Sequence, residues 1–235
     1  IVSLYEDITA DEMSVLYKEI QSIVDNTVPV DFEYRIAGDP VLSERAKEYM
    51  YSDLSLLIPI VILVVMLTLY FSFHSLRGTL LPLMTVLIST IWTVGIMALF
   101  GVHFTVVSTC LPVLLIAVGS AYGIHVMNHY YTEIEHSEVV TAGDVHKSLV
   151  MKALARVRTP VLLAGFTTIV GFSSITTSPI VPLKDFGIFA AVGVAIALVL
   201  SLTFIPALLM VMPPKKMKQV RAAQVEKHTQ RRRSA

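Results

Sequence analysis

Charge is what this sequence has least of where it is longest: Leu54–Phe73, Thr79–Phe100, Phe104–Asn128, Pro160–Thr177 and Phe186–Met212 contain no Asp, Glu, Lys or Arg at all. Charged residues make up 15% of the 235-residue chain, against roughly 25% in a soluble domain. A single cysteine, Cys110, excludes any intrachain disulfide framework. There is no nucleophile–base arrangement, phosphate loop, HExxH pattern or metal-ligand spacing, so an enzyme, a metal site and a bound cofactor are not expected. The basic residues do not suggest nucleic-acid binding either. What is present is apolar: 54% hydrophobic residues and a mean hydropathy of +0.70. Each charge-free run is about long enough to cross a ~30 Å hydrocarbon layer. The sequence therefore predicts a membrane all-α bundle of five transmembrane helices.

Residues 1–52 are polar and acidic. A short alternating start at Ile1–Leu4 and a strand-like Phe32–Ile36 flank a run from Ala10 to Val24, where Met13, Leu16, Ile20 and Val24 fit helical spacing. This predicts the end of an external, porter-like α+β domain, with Val41–Met50 a helix leading to the membrane. The bundle follows over 53–212, and a basic tail over 213–235. Within the bundle, the polar segment 132–158 carries Leu149, Ala153 and Val157 at helical spacing among Lys147, Lys152, Arg156 and Arg158. It reads as an amphipathic helix, lying in the interface or resting on the bundle ends. Pro82 falls in the first turn of the second span, and Tyr130 and Tyr131 fall where an interfacial aromatic belt belongs.

Thirteen Lys and Arg lie on the side of the 74–78 loop, segment 132–158 and the tail, against five on the other side. The positive-inside rule places the basic side in the cytoplasm and residues 1–52 outside an inner (plasma) membrane. The tail's KKMK and QRRR clusters follow from that topology or bind anionic lipid. The chain begins at Ile1 without a signal segment and ends in QRRRSA, which reads as a piece of a longer polypeptide.

The third span carries the unusual residues. Gly119 and Gly123, four apart, let a neighbouring backbone approach. Ala121, His125 and Asn128 share a ~60° arc, with Ser120 and Tyr122 about 100° to either side of Ala121. Polar groups in hydrocarbon are costly, so this face is expected to point into a helix bundle. It either serves function or only joins helices by hydrogen bonds. The fourth span, with Gly165, Thr167, Thr168, Gly171, Ser173 and Ser174, has the composition of a closely packed inner helix.

IAGDPVLSE at Ile36–Glu44, SFHSLRGTLLPL at Ser72–Leu83, GSAYGIHVMNHYYTE at Gly119–Glu133, TPVLLAGFTTIVGFSSI at Thr159–Ile175 and the long run Pro182–Leu209 together resemble the RND (resistance-nodulation-division) superfamily. The closest branch is that of the MMPL-type and Patched-like lipid transporters. The match is to helices two to six of the first half. The resemblance implies secondary active export of a hydrophobic or lipid-like substrate, driven by a proton gradient. As partners it implies the bilayer, a second repeat of the same polypeptide, and further copies of the chain. In the family an aspartate usually stands at the position of Ala121 and takes part in proton coupling. His125 on the same face is the available substitute, since imidazole titrates near neutral pH. A neutral, hydrogen-bonded structural histidine is the other reading. Loss of the acid also leaves room for a sterol-sensing-like lipid-binding module, and a SecD/SecF-like export accessory is a third reading.

Overall fold

A computed structural model of the chain describes residues 10–27, 29, 36–136 and 143–212. Six helices follow one another: α1 (Ala10–Thr27), α2 (Asp39–Phe73), α3 (Leu76–Leu99), α4 (Cys110–His136), α5 (Gly143–Ile175) and α6 (Val181–Val211). The chain divides into two compact units, Ile1–Leu57 and Ile58–Ala235.

In the first unit, α1 ends where Asn26 and Thr27 bond back to the carbonyls of Ser22 and Ile23, the self-bonding that favours such residues at helix ends. Gly38, at φ 145°, supplies the turn before α2. The described residues contain no strand. The alternating start Ile1–Leu4 and residues 32–35 of the strand-like segment lie outside the described residues, and the described part of this unit is helical.

Five helices, α2 to α6, are long and apolar enough to cross a membrane, and the protein is a multi-pass membrane protein. In the second unit α4 and α6 each pack on three neighbours: α4 on α3, α5 and α6, and α6 on α3, α4 and α5. Their shared core is built from Leu111, Leu115, Met127, Val194, Ala197 and Ile205. The end of α2 joins it through Phe73. Two residues then turn the chain: His74 adopts a left-handed φ of 47°, and the Ser75 hydroxyl accepts the Gly78 N–H at 3.0 Å to cap α3. Gly101, at φ 67°, turns the chain after α3.

Four cross-helix polar contacts bind one end of the bundle. Ser75 and Tyr131 share a hydroxyl–hydroxyl bond of 2.6 Å. Arg77 donates to the Met212 carbonyl at 3.3 Å. Arg156 on α5 meets Glu133 on α4 at 2.6 Å. Buried His146 places Nε2 2.7 Å from the Leu209 carbonyl near the end of α6. A carbonyl only accepts, so Nε2 carries the proton.

Four expectations are corrected. α5 is one 33-residue helix, so residues 143–158 of the amphipathic segment run straight on into the span instead of forming a separate helix. Leu149, Ala153 and Val157 are spent on the bundle instead. Nor is α5 an inner helix: 22% of its apolar window is buried, against 56% in α4. Thr167, Gly171, Ser173 and Ser174 are all exposed, because only α4 and α6 pack on it. Tyr130 sits in the core, with its ring 6.1 Å from that of His146, rather than in an interfacial belt. Finally, α3 starts at Leu76, which puts Pro82 beyond the first turn.

Candidate functional site on the fourth helix

The orientation of α4 is set by residues that lack side chains. A Cβ on Gly119 would stand 3.2 Å from Val86 Cγ2 and 3.3 Å from Ala197 Cβ, and one on Gly123 would stand 2.5 Å from Pro82 Cβ. From the other helices, Gly193 is closed over by Leu115 and Gly165 by Leu198, each at 2.6 Å from the Cβ position. These approaches, one helix backbone against another helix's side chains, fix rotation as well as distance. Gly171 differs, since nothing lies within 4 Å of its Cβ position.

Once α4 is turned this way, its polar residues part company. Ser120 is buried and bonds back to the Ala117 carbonyl at 2.8 Å. Tyr122 is buried toward α5, its hydroxyl beside Thr168 but without a hydrogen bond of full geometry. Ala121, His125 and Asn128 are exposed. Within this chain the small residues claim the inner side, and the Ala121–His125–Asn128 arc, on the opposite side of the helix, is left outward.

A second exposed row continues it on α5, where Ala164, Thr167, Gly171 and Ser174 recur at helical spacing. Thr167 and Thr168 both bond to the Ala164 carbonyl at 2.8 Å, and Ser174 bonds to that of Gly171 at 2.7 Å. Self-satisfied hydroxyls and small residues suit a surface that meets another helix. The two rows border the Tyr122–Thr168 contact. Among the described residues no three His, Cys, Asp or Glu side chains converge as a metal would require.

Sequence reasoning overlooked His146. It falls in register with Leu149, Ala153 and Val157, so its place on the apolar face of α5 was the available signal.

The fold is that of a multi-pass membrane protein with an outward polar row on one of its spanning helices. The sequence pattern of the MMPL family matches residues 1–234, and the chain belongs to that family. It is 25% identical over 214 residues to MJ1562 of Methanocaldococcus jannaschii, named as a membrane protein, covering 90% of this chain and 54% of that one. It is 28% identical over 153 residues to the hopanoid transporter HpnN of Rhodopseudomonas palustris, covering 65% of this chain and 17% of that one. The chain thus spans about half the length of the first relative and a smaller part of the second.

Proposed function

We propose that this chain is the first transmembrane half of an RND-type exporter that moves a hydrophobic or lipid-like substrate out of the inner membrane, driven by a proton gradient. The observation that carries the reading is the outward row Ala121, His125 and Asn128 on a membrane-spanning helix. An imidazole and an amide facing hydrocarbon would cost several kcal/mol, so such a row implies protein or water against it. A second repeat of the same polypeptide would supply that partner, and the small row on α5 would widen the contact. His125 would be the group that takes and releases the proton in place of the absent acid at Ala121, with Asn128 one turn away to orient it. The lipid-like substrate class is supported by membership of the MMPL family and by the relative named as a hopanoid transporter.

In this reading residues 1–52 complete an external α+β domain, and the end bearing Arg77, Arg156 and the basic tail faces the cytoplasm. The test is efflux from vesicles of the full-length protein under an imposed pH gradient, for wild type and His125→Gln at equal protein level. Loss of gradient-driven efflux in a correctly inserted variant supports the reading. Unchanged efflux rejects His125 as the coupling group. The second reading, a lipid-sensing module without net transport, is favoured by Ala121 and would show lipid binding with no dependence of efflux on the gradient.

A further inference from the structure

The outward side of α5 near the polar end of the bundle has a layout that neither the family match nor the transport reading uses. Leu149, Ala153, Val157 and Val161 are buried against the bundle. On the helical wheel Lys147 and Arg158 stack within about 20° of each other, and Lys152 stands roughly 120° away on the other edge of the exposed side. All three are exposed. Arg156 is committed to Glu133, whereas Lys147, Lys152 and Arg158 have no ion pair among the described residues.

Between the two cationic edges lies Thr159. The hydroxyls of Thr167 and Thr168 bond back to their own helix, but that of Thr159 has no partner among the described residues. Directly below, on the same arc, the surface turns apolar: Leu162 is 47% exposed and Phe166 63%. The change takes place within about 6 Å of axial rise.

Cations, a free hydroxyl and then a greasy strip, in that order down one helix face, match a lipid with an anionic headgroup. We propose that this face of α5 binds an anionic phospholipid, its phosphate held between Arg158 and Lys152 with the Thr159 hydroxyl donating to it, and one acyl chain along Leu162 and Phe166. Lys147, about 16 Å above Arg158, adds long-range attraction and reaches larger headgroups. Positive-inside topology requires basic residues somewhere at this end. It does not require that three of them be unpaired and bracket an unbonded hydroxyl above an exposed apolar strip.

The experiment uses the full-length protein in vesicles of phosphatidylcholine with about one quarter phosphatidylglycerol, where each nearby cation adds roughly fivefold to anionic-lipid attraction. Spin-labelled phosphatidylglycerol and phosphatidylcholine report which lipid the protein holds. Wild type is expected to prefer phosphatidylglycerol several-fold. The triple variant Lys147→Gln/Lys152→Gln/Arg158→Gln is expected to lose that preference, whereas Lys147→Arg/Lys152→Arg keeps it. Altering Lys215, Lys216 and Lys218 of the tail to Gln is expected to leave most of it in place. Lys147, Lys152 and Arg158 are at exposed positions, and monodisperse elution checks folding of every variant. If the triple variant keeps the full preference, or if the tail substitutions alone abolish it, the α5 site is overturned. Symmetric vesicles make the result independent of topology and of transport.

Discussion

Gly123 on α4 and Pro82 on α3 touch backbone to ring: a Cβ on the glycine would stand 2.5 Å from Pro82 Cβ and 3.1 Å from Pro82 Cα. The contact joins two features that each weaken a helix alone. Pro82 removes an N–H and leaves the Gly78 carbonyl without its helical donor, and glycine in a helix interior costs about 1 kcal/mol relative to alanine. Together they allow a close crossing that neither side chain could otherwise make. The crossing determines which side of α4 faces inward.

Gly123→Leu is therefore expected to prevent native packing, and Gly123→Ala to destabilise by about 1–3 kcal/mol through overpacking. Gly171→Ala, with open space at its Cβ position, is expected to leave the stability of the bundle unchanged or slightly raised. Thermal unfolding in detergent, followed by size-exclusion chromatography, separates the three. A Gly123→Leu protein that melts like wild type would show that α3 and α4 cross elsewhere.

His146 and Tyr130 face each other in the core, yet their expected mutational costs differ. His146→Ala removes the donor to the Leu209 carbonyl and should cost about 1–3 kcal/mol for an unsatisfied buried acceptor, plus the cavity. Tyr130→Phe removes a buried hydroxyl that has no hydrogen-bond partner among the described residues and should be neutral or stabilising. The two melting curves check this ordering, and a large loss in Tyr130→Phe would mean its hydroxyl is bonded.

The Arg156–Glu133 pair has one partner 68% exposed and the other 12%. A double-mutant cycle with Arg156→Gln and Glu133→Gln is expected to give a coupling of about 0.2–1 kcal/mol that shrinks with added salt. A salt-insensitive coupling above that range would place the pair in a drier setting than its exposure indicates.

His125 is exposed in this bundle, so His125→Gln should leave the helical packing intact. Under the transport reading it should reduce gradient-driven efflux of the full-length protein by at least about tenfold, within the range that loss of a proton-transfer group produces. Normal stability with lost efflux is the expected combination; normal stability with full efflux would return His125 to a merely polar surface position.

For topology, Cys110 is exposed at the start of α4 and serves as one reporter. With Cys110→Ser as background, Asp144→Cys and Lys216→Cys are expected to react with an impermeant maleimide from the same side, and native Cys110 from the opposite side. Labelling of 144 and 216 from opposite faces would end the five-span arrangement.

The sequence by itself determined where the membrane spans lie and to which family the chain belongs. Burial of a charge-free run in hydrocarbon is a local property that every residue reports without help from its neighbours, and the motifs at Gly119–Glu133 and Pro182–Leu209 are contiguous. Which side of each helix is inner was decided only by the tertiary structure. In a span with no charge, both faces are apolar and the polar–apolar contrast that marks the inside of a soluble helix is missing. The choice then passes to shape. Gly119 against Val86, Gly123 against Pro82 and Gly165 against Leu198 turn α4 and α5 until Tyr122 is in and His125 is out. No single helix's pattern contains that information, since each close approach needs the residue from the other helix. His146 shows the same limit: its spacing put it on the apolar face of α5, but the carbonyl that makes its burial affordable belongs to Leu209, on another helix.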